Sequence, residues 1–406
     1  MNAPHSPSPL AAVEMAPKDP ILGVTEAFVA DTNPRKVNLG VGVYTDDEGK
    51  VPVLECVKRA EAERARAGAP KSYLPIDGMA AYDKAVRELV FGASASALKE
   101  NRVVTVQALG GSGGLKIGAD FLRRICPDAT VWISDPSWEN HRALFEGAGL
   151  SVKAYPYYDA ATHGVKFAAM LAALRAMPAG SIVVLHSCCH NPTGADLSQA
   201  QWREVLAAVQ ARGLIPFLDL AYQGFADGVD ADAFAPRLFA EAMHPVFLAS
   251  SFSKSVSLYG ERVGALSVVT GTADEAARVL SNLKRVVRAN YSNPPTTGAD
   301  IVARILTSPE LRRQWDDEVA GMRDRIKAMR KALVEGVQRR VPGFDFSFVM
   351  EQRGMFSYSG LTREQVLRLR SEYSIYTIET GRICVAALTS RNIDYVADAI
   401  AKVIRP

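Results

Sequence analysis

No apolar run in this 406-residue chain approaches the roughly 20 residues of a membrane-spanning helix, so a membrane protein is not expected. An excess of one charge is missing too. The 47 basic and 44 acidic residues leave a formal charge of +3, too balanced to make nucleic acid the expected ligand. The most basic stretch, Arg323 to Arg340, carries Ile326, Met329, Leu333 and Val337 at helical spacing, the pattern of an amphipathic helix with a solvated basic face. Cysteine is scarce: Cys56, Cys126, Cys188, Cys189 and Cys384 show no C-x-x-C spacing, and their odd number suits reduced thiols in a cytoplasmic protein. The six histidines show no spacing that resembles a metal site. There is no internal repeat. The first 20 residues hold Pro4, Pro7, Pro9, Pro17 and Pro20 but no apolar core of signal-peptide length, so a flexible arm over residues 1–18 is expected.

What is present is globular: 48% hydrophobic and 22% charged residues, enough chain for a large α/β domain with a smaller partner. From Val103 onwards, short β-branched runs alternate with Ala/Leu/Arg segments of helical period, which predicts βα units and a mostly parallel sheet flanked by helices. The predicted strands are Val103 to Leu109, Val131 to Ser134, Ile182 to His186, Ile215 to Asp219, Val246 to Ser250 and Val263 to Val269. After Arg312 the rhythm changes. A long charged helix (Leu311 to Arg340), the segment Phe344 to Val349, a helix from Arg363 to Glu372 and strands near Ser374 to Ile378 and Ile383 to Ala387 suggest a smaller α+β domain. The expected division is a small domain of residues 19–48 and 322–406 and a large domain of residues 49–321.

Chemistry-bearing residues follow the predicted strands. Leu109 runs into Gly110 to Gly114, Ser134 into Asp135 to Trp138, and His186 into Cys188 to Gly194; Asp219 closes its own strand with Tyr222 just beyond. Ser251, Phe252, Ser253 and Lys254 follow Val246 to Ala249, and Arg262 comes eight positions later. In a parallel α/β sheet the carboxyl ends of strands share one edge, and ligands bind outside it. The glycine run permits close backbone approach and offers N–H groups at a helix start, which suits a phosphate, although it breaks both the dinucleotide and Walker fingerprints.

Hydroxyls and a guanidinium beside a lysine are what a protein needs to hold pyridoxal phosphate: the former take the phosphate, the amine condenses with the aldehyde. Asp219 would then pair with the pyridine nitrogen, or simply cap the next turn. Asn191 and Tyr222 would donate to the ring hydroxyl, and Trp138 would stack on the ring or pack on the core. His141, His186 and His190 read either as groups that orient Asp219 or the ring from behind or as satisfied structural histidines. Gly110 to Gly114 also matches G-x-S-x-G, with Ser112 as nucleophile and Asp219 and His244 following, so a serine hydrolase is a remote alternative. That reading leaves Asn191, Tyr222, Lys254 and Arg262 unexplained.

Asn38 to Tyr44 (NLGVGVY), Ser72 to Gly78 (SYLPIDG), Pro136 to His141 (PSWENH), His190 to Gly194 (HNPTG), Ala221 to Phe225 (AYQGF), Ser251 to Lys254 and Arg288 to Pro295 (RANYSNPP) stand in one order along the chain, opened by Asp19, Pro20, Ile21, Leu22, Gly23 and closed by Arg382. The series resembles the class I aspartate and aromatic-amino-acid aminotransferases. The resemblance implies fold type I, with a seven-stranded sheet in the large domain, and a homodimer with shared active sites. It implies that Lys254 is the Schiff-base lysine and proton shuttle of a ping-pong reaction, and that Gly111, Ser112, Ser251, Ser253 and Arg262 hold the phosphate, joined by Tyr73 from the second subunit. Substrate would meet Gly40, Trp138, Asn191 and Arg382, the last binding the α-carboxylate, with Arg288 of the second subunit at the distal carboxylate. Leu109 to Lys116 (LGGSGGLK), Tyr73 to Pro75, Ser257 to Arg262 and Cys384 look like the aromatic branch; an aspartate aminotransferase with little aromatic activity is the alternative. Amino acids and 2-oxo acids are the implied partners.

Overall fold

The computed structural model describes residues 8–16 and 22–405. The expected arm therefore lies partly outside the described residues, as do Asp19, Pro20 and Ile21. Within residues 8–16, Ser8 caps the short turn Pro9–Ala12, and Leu10, Val13 and Met15 are exposed.

Seven strands form the central sheet: β1 (Val103–Leu109), β2 (Thr130–Asp135), β3 (Ser151–Pro156), β4 (Ile182–His186), β5 (Ile215–Leu220), β6 (Val246–Ser251) and β7 (Val263–Val269). Their order is β1-β7-β6-β5-β4-β2-β3. The strands from β6 to β3 pair in parallel, whereas β7 runs antiparallel to both β1 and β6. The inner strands are buried on both faces, as in β4 and β7, whose every residue is buried. Continuous apolar runs covered by helices on both sides are what such a sheet requires. The edge strand β3 is absent from the predicted strands: four of its six residues are exposed and only Tyr155 is buried, so it lacks an apolar run.

The reversed direction of β7 has a consequence for chemistry. Val263 is opposite Leu109, and Gly264 is opposite Ser251, so the start of β7 lies at the carboxyl ends of β1 and β6. Arg262, which precedes a strand, is thereby brought to the edge where the other strands end. Gly264 permits this approach, because an added Cβ would lie 2.3 Å from the carbonyl carbon of Gly110.

Helix α1 (Gly110–Ile125) starts at the first glycine, so the glycine run is itself the opening turn of the helix. Helix α2 (Glu139–Glu146) follows β2 and carries His141 on its buried face. The long helix α3 (Pro309–Arg340) has Ser308 as N-cap and Pro309 in its first turn, two residues before the expected start. The expected boundary between residues 321 and 322 falls inside it. Beyond it, the expected segment Phe344 to Val349 ends in a 3-10 turn (Ser347–Glu351), and the helix Arg363–Tyr373 stands as expected with a Thr362 capping box. The two expected strands shrink to Ile375–Tyr376, parallel to Val37–Asn38, and Arg382–Cys384, antiparallel to Phe356–Tyr358. Val385–Ala387 is a 3-10 turn. No helix among the described residues is long and apolar enough to cross a membrane.

Candidate active site

A cavity of about 270 Å³ opens at the carboxyl edge of the sheet. Its wall takes Gly111 and Ser112 from the start of α1, Trp138 from the turn after β2, and His186 and Asn191 from β4 and its loop. Asp219 and Tyr222 come from β5, Ser251, Ser253 and Lys254 from β6 and beyond, and Arg262 from the turn before β7. Arg382 closes the cavity from the far part of the chain. Twelve expected residues from seven separate segments are thus brought together.

Leu109, the N-cap of α1, provides no side-chain cap; the Gly110 N–H donates to the Arg262 carbonyl at 3.0 Å, and the N–H groups that follow it in the first turn have no cap from Leu109. Gly110 has φ +70°, and a Cβ there would lie 2.4 Å from Arg262 Nη2. Only glycine lets the guanidinium come so close to the helix start. Ser251 and Ser253 are buried beside it, and the Ser253 N–H donates to Ser251 Oγ at 3.3 Å. Open N–H groups, hydroxyls and a guanidinium make a phosphate cradle.

Asp219 is buried, and its Oδ2 accepts from His141 Nε2 at 3.0 Å. With Nε2 as donor, His141 Nδ1 is free to accept from Ser137 Oγ at 2.8 Å. Burial pushes the Asp219 carboxyl up, but the hydrogen bond and charge of His141, with His186 and Lys254, outweigh it and hold the group below the ordinary carboxylate value. Asp219 is therefore a firm anion at the wall. Next to it His186 has both ring nitrogens buried without a partner, and burial, with His141 beside it, drops it to about 3, so it is neutral. His141, His186 and Asp219 bring one ligating atom each within 4.8 Å of one another, a grouping that sequence spacing hides. Both His141 nitrogens are already engaged. Trp138 meets the His141 ring edge-on, with centroids 5.3 Å apart.

Lys254 Nζ lies 5.1 Å from the centre of the Tyr222 ring. Burial lowers its amine to about 8; Asp219 opposes that shift and Arg262 reinforces it. An amine with this value is neutral for about a tenth of molecules at pH 7 and is a competent nucleophile. Arg382 is 1% exposed, and it has no carboxylate partner among the described residues. Its Nη1 donates to Asn191 Oδ1 at 3.1 Å and its Nη2 to the Gly40 carbonyl at 2.7 Å, its plane lies over Phe356 at 4.3 Å, and its Nε has no partner. A buried guanidinium so placed is complementary to a small carboxylate.

Gly40 stands behind Arg382 and not in the cavity wall, and His141 stands behind Asp219. Two expected residues are elsewhere: Tyr73 is 89% exposed on the surface, and Arg288 is exposed and bonded to Ser292 Oγ. His244, the third member of the serine-hydrolase alternative, precedes Val246 at the start of β6 and is packed against Gly271. It lies at the opposite edge from Ser112 and Asp219, and that triad is not assembled. The sequence reading missed Phe356, which packs on Arg382 and Tyr222, and Tyr259, whose hydroxyl accepts the Tyr44 N–H at 2.9 Å. Phe356 follows no strand of the central sheet, and Tyr259 shares the segment between β6 and β7 with Lys254 and Arg262 but is marked there only by an aromatic ring.

The donor set fits pyridoxal phosphate: an uncapped helix start with Ser251, Ser253 and Arg262 for the phosphate, an anionic Asp219 for the ring nitrogen, and a nucleophilic Lys254 for the aldehyde. The comparisons with known proteins agree. Residues 34–400 match the family described as aminotransferase class I and II. The chain is 60% identical to an aspartate aminotransferase of Pseudomonas aeruginosa, over 97% of its own length and 99% of the relative. It is 51% identical to an aromatic-amino-acid aminotransferase of Escherichia coli, over 95% and 98%. The crystal structure of an aromatic-amino-acid aminotransferase from Burkholderia pseudomallei, covalently bound to pyridoxal phosphate, superimposes with a TM-score of 0.96 at 63% identity, over 98% of this chain and 100% of that one.

Proposed function

The chain belongs to the class I and II aminotransferases, and we propose that it moves the amino group of tyrosine, phenylalanine or aspartate to 2-oxoglutarate by a ping-pong reaction. The observation that carries the assignment is Arg382: a buried guanidinium with no acid of its own, in the same cavity as a lysine lowered to about 8 and a firm Asp219 carboxylate.

Bound in that cavity, pyridoxal phosphate supplies an electron-withdrawing ring that stabilises a carbanion at the substrate α-carbon. We assign the surrounding work to the chain's own residues. Arg382 takes the α-carboxylate with two N–H bonds and fixes the angle of the α-carbon; Asn191 and the Gly40 carbonyl hold the guanidinium in plane. Lys254 Nζ holds the proton leaving the α-carbon and returns it, a task for which its lowered amine value is suited. Asp219 keeps its charge toward the ring nitrogen because His141 and Ser137 brace it. Among the residues that line the cavity, Tyr222 and Asn191 would hold the ring hydroxyl, Trp138 would cover the ring, and Gly111, Ser112, Ser251, Ser253 and Arg262 would hold the phosphate.

We extend the proposal to a two-fold dimer with shared sites. A dicarboxylic acceptor needs two cationic clamps, and beyond the phosphate cradle this cavity offers one, Arg382. Arg288 and Tyr73 lie on the surface of the single chain, available to a neighbour's cavity. An exposed Arg288 that pairs with a distal carboxylate and swings to solvent for a phenyl ring would accommodate both substrate types, since an unpaired buried guanidinium costs several kcal/mol. All five cysteines are free thiols, which supports a cytoplasmic setting. We retain the division into a small domain (19–48 and 322–406) and a large one (49–321), with α3 as the shared element.

The name of the Pseudomonas relative favours a second reading, an aspartate aminotransferase with little aromatic activity. Rates on phenylalanine and on aspartate, each with 2-oxoglutarate, separate the two. Negligible phenylalanine turnover sinks the aromatic reading. A Lys254→Ala protein should lose nearly all transamination with either donor.

A further inference from the structure

Asp196 lies outside the wall of the active-site cavity, beside a second cavity of about 470 Å³ lined by Ser187, Cys188 and Trp202 among others. Its Oδ2 accepts the Cys189 N–H at 2.7 Å, and its Oδ1 accepts the His190 N–H at 2.8 Å. Cys189 has φ +51°, a left-handed conformation that a non-glycine residue adopts at a cost. The carboxylate thus pins a strained residue and its successor. His190 is held on all sides: Nδ1 meets Thr193 Oγ1 at 2.8 Å, Nε2 meets Ser134 Oγ at 2.9 Å, and Tyr157 stacks on the ring at 3.9 Å. The next residue is Asn191, whose Oδ1 accepts from Arg382 Nη1 at 3.1 Å.

We propose that Asp196 is a positioning residue for the substrate carboxylate: by holding the Cys189 and His190 N–H groups it sets Asn191, and through Asn191 the plane of Arg382. The inference rests on Arg382 as the carboxylate clamp. Asp196 itself touches neither substrate nor cofactor. Because both half-reactions bring a carboxylate to Arg382, loosening this chain weakens donor and acceptor together, whereas the cofactor's own contacts through Asp219, Ser251 and Arg262 are untouched.

The test is steady-state kinetics on cofactor-loaded Asp196→Asn, Asn191→Ala and the double variant, with succinate as a non-reacting carboxylate. One charge-assisted hydrogen bond is lost in Asp196→Asn, so KM for aspartate, phenylalanine and 2-oxoglutarate should each rise about tenfold, and the succinate dissociation constant with them. kcat and the cofactor affinity set at Asp219, Ser251 and Arg262 should change far less than KM, and any shift of the visible band, which Asn191 would influence at the ring hydroxyl, should be no larger than that of Asn191→Ala. In the Asn191→Ala background the same change should add less than about twofold. Full effects in that background, or loss of cofactor in place of substrate affinity, overturn the proposal. If Asp196→Asn does not fold, hydrogen exchange on the wild-type holoenzyme decides: slow Cys189 and His190 amides are expected, and exchange at free-peptide rates overturns it. Arg382→Met distinguishes the two levels. If it leaves every KM unchanged, the clamp reading itself fails; if it raises them and Asp196→Asn does not, only the role of Asp196 fails.

Discussion

Replacing Arg382 by methionine removes a guanidinium that is 1% exposed and has no acidic partner among the described residues. On the functional side the substrate loses two charge-assisted N–H bonds to its carboxylate, each about 1.5–3 kcal/mol, so kcat/KM should fall by about 10² to 10⁴ for every substrate. On the stability side the terms oppose one another. The chain loses the bonds to Asn191 at 3.1 Å and to the Gly40 carbonyl at 2.7 Å, together with the stacking over Phe356 at 4.3 Å. It also sheds the desolvation of an unpaired buried charge, which is several kcal/mol and of opposite sign. The net should stay within about 2 kcal/mol, a Tm shift of only a few degrees in a chain of this size. Steady-state kinetics with phenylalanine, aspartate and 2-oxoglutarate and thermal unfolding of the cofactor-free protein measure both sides. A kcat/KM within tenfold of wild type would refute the carboxylate role, and a Tm drop beyond about 10 °C would make Arg382 a structural residue.

Lys254, lowered to about 8 by burial, favours folding in its neutral form; that contribution is present above the ordinary lysine value and is lost as pH falls through about 8. In cofactor-free protein its modification by an amine reagent should therefore have a midpoint near 8, and a midpoint at the ordinary lysine value would contradict the geometry. Gly110→Ala places a Cβ 2.4 Å from Arg262 Nη2 at φ +70°, so the guanidinium must leave the helix start, and cofactor affinity measured by reconstitution should fall about tenfold or more. His141→Ala removes the 3.0 Å bond that keeps Asp219 low. Asp219 contributes stability above the ordinary carboxylate value and loses it as pH falls through its lowered value, so the acid-unfolding midpoint of the variant should move to higher pH; an unchanged midpoint refutes the coupling.

The parts of the fold that were legible in the sequence are those where burial is two-sided. β1, β4 and β7 have the bounds that their apolar runs predict, since nearly every position in them is buried and, Gln107 and His186 apart, carries an apolar or small residue. β3 was invisible because an edge strand with Lys153 and Pro156 looks like a loop. The active-site wall was legible for one physical reason: ligands gather at strand ends, and chemistry-bearing residues written just after apolar runs must meet there. Arg262 lines the cavity although it precedes its strand; the antiparallel pairing of β7 explains how it arrives. Asp196 had no such signal. Its two bonds go to backbone N–H groups, which any sequence supplies, and so nothing in the residue types around it announces the contact.

The charges of the cavity connect these findings. Among the lining residues Lys254, Arg262 and Arg382 are cationic, Asp219 is anionic, and His186 at about 3 is neutral. The single chain thus holds an excess of one to two positive charges, depending on whether Lys254 carries its proton. An enclosed site does not sustain such an excess against its own repulsion without anionic ligands. A phosphate monoester brings about −1.5 to −2, which by itself offsets most or all of that excess. On the proposed assignment a phosphate at Arg262 would offset the smaller, Arg262 part of the lowering that burial chiefly imposes on Lys254, and a substrate carboxylate would meet Arg382 beside Asn191. An ester-cleaving serine enzyme needs none of this balance, and His244, the base expected for Ser112, lies at the far edge. The same G-x-S-x-G letters therefore acquire a phosphate-binding sense from the charge around them, because three cations facing one carboxylate select for anions before any side chain reacts.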